Sequence, residues 1–398
     1  MTLRTIDDAG DLAGRRVLVC ADFNVLLDGG RVADDLRIRA TLPTLHELLD
    51  RGASLVLASH LGRPNGRVAD EFRLTPVADR VTELLGREVL PLDDVAGPEV
   101  EAVTNHLSSG EVVLLENLRF DPGEEANDAT FAGRLAELAD AYVDDAFGAV
   151  HRAHASVAGL PELMRASGRP AVAGRLLQRE VEVLGRLLAG PEAPYVAVLG
   201  GAKVSDKLGT IRALADRVDA ILIGGAMAFT LIAADGGEVG RSLVERDRLD
   251  EVREARAYAA GRGVLVEVPQ DVVAAAEIAA DADRRTVPAA DLPRGLMGLD
   301  IGPRTVEEYA RILADAKTIL WNGPMGVFEL EAFSAGTRGV ATAIAAASAF
   351  TVVGGGDSLL AVKRLELEDA YDHLSTGGGA SLEFLEGRAL PGITVLED

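Results

Sequence analysis

A chain of 398 residues with a formal net charge of −23 is too acidic to take up nucleic acid or an anionic membrane through its overall field, so any anionic substrate needs a local basic cluster. At roughly 100–200 residues per domain the length fits two or three domains, and a hydrophobic fraction of 48% supplies their cores. No apolar run approaches the ~20 residues of a bilayer span, the opening residues lack a signal-peptide pattern, and the single cysteine, Cys20, cannot form an internal disulfide, which points to a reducing, cytoplasmic setting.

In chain order, residues 17–25, 54–60, 111–116 and 141–147 read as strands of a first half, with helical spacing at 38–49, 76–85 and 130–138. Residues 173–189 carry Leu176, Leu177, Val181, Leu184, Leu187 and Leu188 at helical intervals and stop at Gly190-Pro191. This predicts a helix connecting two domains of similar size. Strands are then expected at 194–199, 220–223, 264–268, 318–321 and 350–353, with helices at 211–218, 306–313 and 337–347. Several strands are nearly continuous apolar runs, as in sheets covered on both faces. The alternation predicts an α/β fold with parallel sheets and right-handed crossovers.

Ligands of such sheets bind at the carboxyl ends of strands. In the first half these ends are basic and polar: Asp22-Phe23-Asn24 and Arg37, then Ser59-His60-Leu61-Gly62-Arg63-Pro64, Glu116-Asn117-Leu118-Arg119, and Asp145 through His151-Arg152-Ala153-His154. Arginine forks match carboxylate and phosphate oxygens, so a small ligand bearing both groups suits this edge. In the second half the ends are glycine-rich: Gly200-Gly201-Ala202-Lys203 through Lys207, Gly224-Gly225, Asn322-Gly323-Pro324 through Glu329, Gly354 through Ser358, and Gly377-Gly378-Gly379. Glycine lets backbone approach a ligand, and helix N-termini favour phosphate. The chain has only four lysines, and two of them, Lys203 and Lys207, share one of these loops. There is no Walker A loop, no Gly-x-Gly-x-x-Gly opening a first helix, and no His-x-x-x-His or Cys-x-x-Cys.

Taken together and in order, these segments resemble phosphoglycerate kinases over nearly the whole chain. The resemblance implies two Rossmann-like domains with parallel sheets joined by a connecting helix: residues 1–172 binding phosphoglycerate, 173–189 the helix, 190–378 binding nucleotide, and 379–398 returning to the first domain. It implies reversible phosphoryl transfer from 1,3-bisphosphoglycerate to Mg-ADP, giving 3-phosphoglycerate and ATP, by a cytoplasmic monomer with no nucleic-acid or membrane partner. Asp22, Asn24, Arg37, His60, Arg63, Arg119 and Arg152 match the family's substrate positions. Gly200, Gly201, Lys203, Lys207, Gly224, Gly225, Leu296, Asn322, Gly323, Pro324, Glu329, Gly356, Asp357 and Ser358 match nucleotide positions, with Leu296 toward the adenine, Glu329 toward the ribose and Asp357 toward Mg²⁺. Arg37, Lys203, Gly355 and Gly378 form the implied catalytic set. No general base is needed, because the nucleophile is already an anionic oxygen. Closure about the connecting helix and residues 377–379 would exclude water from the acyl phosphate.

Departures from the family pattern are Cys20 where arginine is common, Leu26 for proline, Asp121 for histidine or tyrosine, Asp144 for asparagine, Ala226 for a third glycine, and Leu359-Leu360 for smaller residues. Two alternatives stand beside this reading. One is a dinucleotide-linked oxidoreductase, which lacks its fingerprint. The other is a non-catalytic binding protein, suggested by Cys20 and Leu26 flanking Asp22 and Asn24.

Overall fold

The computed structural model describes residues 2–398. The chain forms two compact units, one of residues up to Glu182 together with Arg388–Asp398, the other Val183–Gly387. In the first unit, strands β1 (Arg16–Ala21), β2 (Ser54–Ala58), β3 (Val89–Pro91), β4 (Val112–Leu114), β5 (Ala141–Asp145) and β6 (Ala171–Ala173) make a sheet in the order β3-β4-β2-β1-β5-β6, parallel throughout. Val17, Leu18 and Val19 of β1 and Leu55, Val56 and Leu57 of β2 are all fully buried, because helices cover both faces. The C-terminal residues join this unit through Arg4 N–H to Leu396 O (3.0 Å) and Arg165 Nη1 to Glu397 O (2.9 Å).

The second unit's main sheet contains β7 (Tyr195–Leu199), β8 (Ala220–Ile223) and β9 (Leu265–Glu267). A small antiparallel sheet follows, of β10 (Asp271–Ala275), β11 (Arg284–Pro288) and β12 (Met297–Ile301). The chain then returns to the main sheet with β13 (Thr318–Asn322), β14 (Phe350–Gly354) and β15 (His373–Ser375). The main order is β9-β8-β7-β13-β14-β15. Strand order reverses between β7 and β13, the topological switch point where parallel sheets bind ligands.

The α/β class and parallel sheets agree with the sequence expectation, but strand ends differ for a local reason. The strand expected at 17–25 stops at Ala21, because Phe23 N–H turns to Ser59 Oγ (2.9 Å) and Asn24 N–H to Asp22 Oδ1 (3.2 Å). The one expected at 141–147 stops at Asp145, because Ala146 N–H is taken by Asp144 Oδ1 (2.9 Å). Such side-chain acceptors compete with the ladder. The three-residue edge strands β3, β6 and β15 are too short to show periodicity, and β11, largely exposed, shows no apolar run. The expected helix at 211–218 is Leu208–Leu214.

The connecting helix spans Arg175–Ala189. Its first turn is held by the first unit: Asp145 Oδ1 accepts from Leu176 N–H (3.0 Å) and Leu177 N–H (3.2 Å), and Thr44 Oγ1 from Arg175 N–H (2.8 Å). A carboxylate here satisfies orphan donors and complements the helix dipole.

Two of the departures meet in space: Cys20 and Asp144 are register partners on β1 and β5. Asp144 is fully buried and its Oδ2 has no hydrogen-bond partner. Burial pushes its carboxyl up to about 8, and burial followed by the Asp144 charge pushes the Cys20 thiol up. A neutral acid beside a neutral thiol removes the cost of two buried charges. Because the folded-state value lies above the ordinary 3.8, the folded chain holds this proton more tightly than the unfolded chain. Its stabilisation is complete below about pH 4 and is lost as pH rises toward 8. Asp144→Asn is therefore expected to flatten the decline in thermal stability between pH 5 and 8. At pH 8 the variant should exceed the parent by about 1 kcal/mol or more, a few degrees in Tm. Parallel melting curves with the same pH slope would count against a neutral Asp144.

Candidate active site

In the first unit the loops after β1, β2, β4 and β5 carry a cluster of basic side chains. Arg37, in the first turn of the helix Leu36–Asp50, donates through Nη1 to both Asp22 oxygens at 2.8 Å and to Asn24 O at 3.2 Å. Asn24 Oδ1 accepts from Gly62 N–H (2.9 Å), and Arg119 Nη1 donates to Gly62 O (2.7 Å). These contacts connect three strand ends through one loop. Asn117 fixes that loop, donating to Leu61 O (2.8 Å) and Phe72 O (2.9 Å) while accepting from Leu61 N–H (3.2 Å) and Arg119 N–H (3.1 Å).

The electrostatics place the remaining members together. His60 is pushed down to about 3, first by burial and then by Arg119 and Arg37 against the opposing pull of Asp22. It is neutral at physiological pH and offers a hydrogen bond rather than a charge. His154 is lowered to about 4 by burial, Arg119 and Arg152. Arg119, almost wholly buried, is lowered by burial, with Arg152 adding repulsion. Arg119 Nε also lies 3.4 Å from Glu125 Oε1, so the cluster combines cations with carboxylates. Arg152 Nε donates to His151 Nε2 (3.2 Å). Arg63 follows Gly62 in the same loop and is exposed.

Beside this cluster is a buried network that sequence reasoning missed. Glu124 accepts from Ser156 N–H (2.9 Å) and Oγ–H (2.6 Å), and Tyr142 donates to Ser156 O (2.8 Å). Burial raises the Glu124 carboxyl. It sits 3.7 Å from His154 Nδ1 and so braces the segment that carries Arg152.

In the second unit the switch point is a backbone contact. Gly200 N–H donates to Asn322 O (2.9 Å), Gly201 N–H to Pro324 O (3.0 Å), and Gly225 N–H to Met325 O (2.9 Å). A side chain at Gly225 would meet Gly201 N and O at 2.5 Å, and its φ is +66°, so glycine is required there twice over. Two adjoining cavities open on this contact. One, of about 390 Å³, is lined by Lys203, Asp206, Lys207, Asn322, Gly355, Gly356, Asp357, Ser358 and Gly378 among others. The other, of about 310 Å³, is lined mainly by Gly225, Phe229, Met297, Leu299, Pro324, Val327 and Glu329.

The two lysines differ. Lys203 is exposed, whereas Lys207 is buried, its ammonium contacts Asn322 Oδ1, and burial lowers it to about 8. Ser358, fully buried at the start of the helix Gly356–Arg364, accepts from Gly323 N–H (2.6 Å) and joins two glycine loops. Asp357 is exposed at that helix N-terminus and faces both cavities. Among the described residues no cluster of three or more His, Cys, Asp or Glu side chains forms a metal cage.

Leu296 belongs to the apolar cluster around Phe229, Ile232 and Leu292 and does not line the smaller cavity; its neighbours Met297 and Leu299 do. Gly224 packs behind Met325, whose sulfur would be 2.3 Å from an added Cβ.

The family model for phosphoglycerate kinase matches residues 6–388. A phosphoglycerate kinase of Salinispora tropica is 56% identical over 406 aligned positions, covering 100% of both chains. One from Moorella thermoacetica is 54% identical over 388, covering 98% of each. The solved phosphoglycerate kinase of Coxiella burnetii superposes with a TM-score of 0.86 at 39% identity, over 99% of both chains. With these matches and the two parallel-sheet units in hand, the chain belongs to the phosphoglycerate kinase family.

Proposed function

We propose that the chain carries out the reaction of its family: reversible transfer of a phosphoryl group between 1,3-bisphosphoglycerate and ADP, yielding 3-phosphoglycerate and ATP. The observation that carries this reading is the β7–β13 backbone cradle, with Lys203, Lys207 and the Gly356–Ser358 helix start around one cavity. It is a site for phosphates flanked by an apolar slot for a base. The first 172 residues serve the phosphoglycerate, and 190–378 serve the nucleotide. The helix of 173–189 joins them, and of the segment 379–398 expected to return to the first domain, Arg388–Asp398 belong to the first unit.

Phosphoryl transfer needs positioning and positive charge more than covalent help. Arg63, Arg119 and Arg152, with neutral His60, hold the distal phosphate. Asp22 and Asn24 orient the hydroxyl and carboxyl end. In the first unit Arg37 serves the acyl phosphate; in the second Lys203, with backbone at Gly355 and Gly378 on the same cavity, serves the phosphoryl oxygens of the nucleotide. Lys207, held by Asn322, meets the nucleotide phosphates. Gly200, Gly201, Gly323 and Pro324 form the floor, Gly225 with Met297 and Leu299 the base slot, and Glu329 the ribose contact. Mg²⁺ fits the donor set: Asp357, an exposed carboxylate at a helix start, lines a phosphate cavity that also carries exposed Asp206, which suits an ion that keeps its waters and arrives with the nucleotide. It would neutralise the nucleotide phosphates.

No helix of the described residues is long and apolar enough to cross a membrane; a cytoplasmic monomer is the setting we propose. Family membership leaves the oxidoreductase alternative without support. Coupled ATP formation from 1,3-bisphosphoglycerate and Mg-ADP tests the reading directly and also disposes of the binding-protein alternative. Absence of turnover by folded protein at saturating substrates would overturn it.

A further inference from the structure

Asp300, near the end of β12, is an acidic residue that the reaction does not use and that the sequence reading did not single out. It is 3% exposed and contributes to the wall of the smaller cavity. Its Oδ2 accepts from Gly336 N–H at 2.6 Å, in the first turn of the helix Ala335–Ala346. Its Oδ1 accepts from Ile301 N–H at 3.0 Å. Added side chains at Gly326 and Gly336 would each come within 2.3 Å of that same Oδ1, so both backbones press on the carboxyl.

Gly326 lies in the segment that runs from the β13 end to Glu329. Two further bonds hold this segment: Val327 N–H to Leu299 O (2.8 Å) and Met325 N–H to Thr337 Oγ1 (3.0 Å). Met297 and Leu299 make one wall of the cavity, and Gly326, Val327 and Glu329 another. Asp300 is the side chain at which β12, this segment and the helix Ala335–Ala346 converge. Burial pushes its carboxyl up to about 7 against the two N–H groups that stabilise the anion. A buried acid at such a junction is costly unless its bonds are needed.

We propose that Asp300 is a positioning residue for the nucleoside: by binding Gly336 N–H and packing on Gly326, it sets the spacing between the Met297–Leu299 wall and the segment bearing Glu329. This rests on the assignment of the smaller cavity to the base and ribose. Asp300→Ala removes the acceptor and leaves a gap beside Gly326. The experiment measures ADP affinity by calorimetry, together with KM for each substrate and kcat, on the full chain.

Asp300→Ala is expected to weaken ADP binding and raise its KM roughly tenfold, the scale of one lost buried hydrogen bond. KM for the phosphoglycerate substrate should stay put, and most of the loss should fall on KM rather than kcat. Asp300→Asn keeps the shape and one acceptor, enough for Gly336 N–H but not also for Ile301 N–H, and should restore ADP affinity to within about threefold. If the alanine variant does not fold, Asp300→Ser replaces it in the same comparison with Asp300→Asn. Unchanged ADP affinity in the alanine or serine variant, an equal rise in both KM values, or a loss confined to thermal stability overturns the proposal. A parent protein that binds ADP but forms no ATP would instead overturn the function above, leaving the ADP comparison to decide this point.

Discussion

Lys203→Ala is expected to lower kcat by about 10²- to 10³-fold, the cost of removing one preorganised charge from a developing anion, or about 3–4 kcal/mol of transition-state stabilisation. The structure separates this lysine from its neighbour in the same loop. Lys207 is buried with its ammonium on Asn322, so it is already committed to one position. Lys203 is exposed at the larger cavity and can follow the moving phosphoryl. Its loop is anchored two residues on, where Glu245 accepts from Ser205 N–H (3.0 Å) and Ser205 Oγ–H (2.7 Å), so truncation leaves the backbone in place. Steady-state rates at saturating concentrations of both substrates measure the effect, and the melting temperature should be unchanged, since an exposed side chain supports little packing. Near-normal kcat would remove Lys203 from the catalytic set.

Gly200→Ala is expected to cost about 3 kcal/mol or more of stability, at the upper end of overpacking changes, and to abolish measurable ADP binding. The added methyl would lie 2.1 Å from Pro324 O and 2.7 Å from Gly323 O. Both are backbone atoms, and neither can rotate away as a side chain would. Relief requires parting β7 from β13 at the switch point, which breaks the Gly200 N–H to Asn322 O bond and the Gly201 N–H to Pro324 O bond. Those bonds form the floor of the phosphate cradle, so stability and nucleotide binding fall together. For a unit of about 200 residues the drop in Tm is about 6 °C or more. A variant that melts normally and binds ADP normally would show that the two strand ends are not in contact in solution.

Much of this site is legible in the sequence because its parts are local. The Gly200-Gly201 and Asn322-Gly323-Pro324 segments announce close backbone approach wherever they fold, and the arginines follow strand ends that apolar runs mark by themselves. What is not legible depends on partners far apart in the chain. Glu124 finds Ser156 32 residues later, Asp300 finds Gly336 36 residues later, and Lys207 finds Asn322 115 residues later. The antiparallel sheet of β10, β11 and β12 is likewise obscure, because β11 is held by ladder bonds and carries little apolar surface.

The sequence by itself determined the α/β class, and which strand ends carry arginine and which carry glycine. These follow from residue type and short-range spacing. Tertiary structure alone decided that Lys207 is buried on Asn322 while Lys203 is exposed, that Asp144 is buried beside Cys20, and that Asp300 binds Gly336 N–H. Burial and partner choice are properties of neighbours brought together by folding, and no local pattern encodes how much water a given side chain loses.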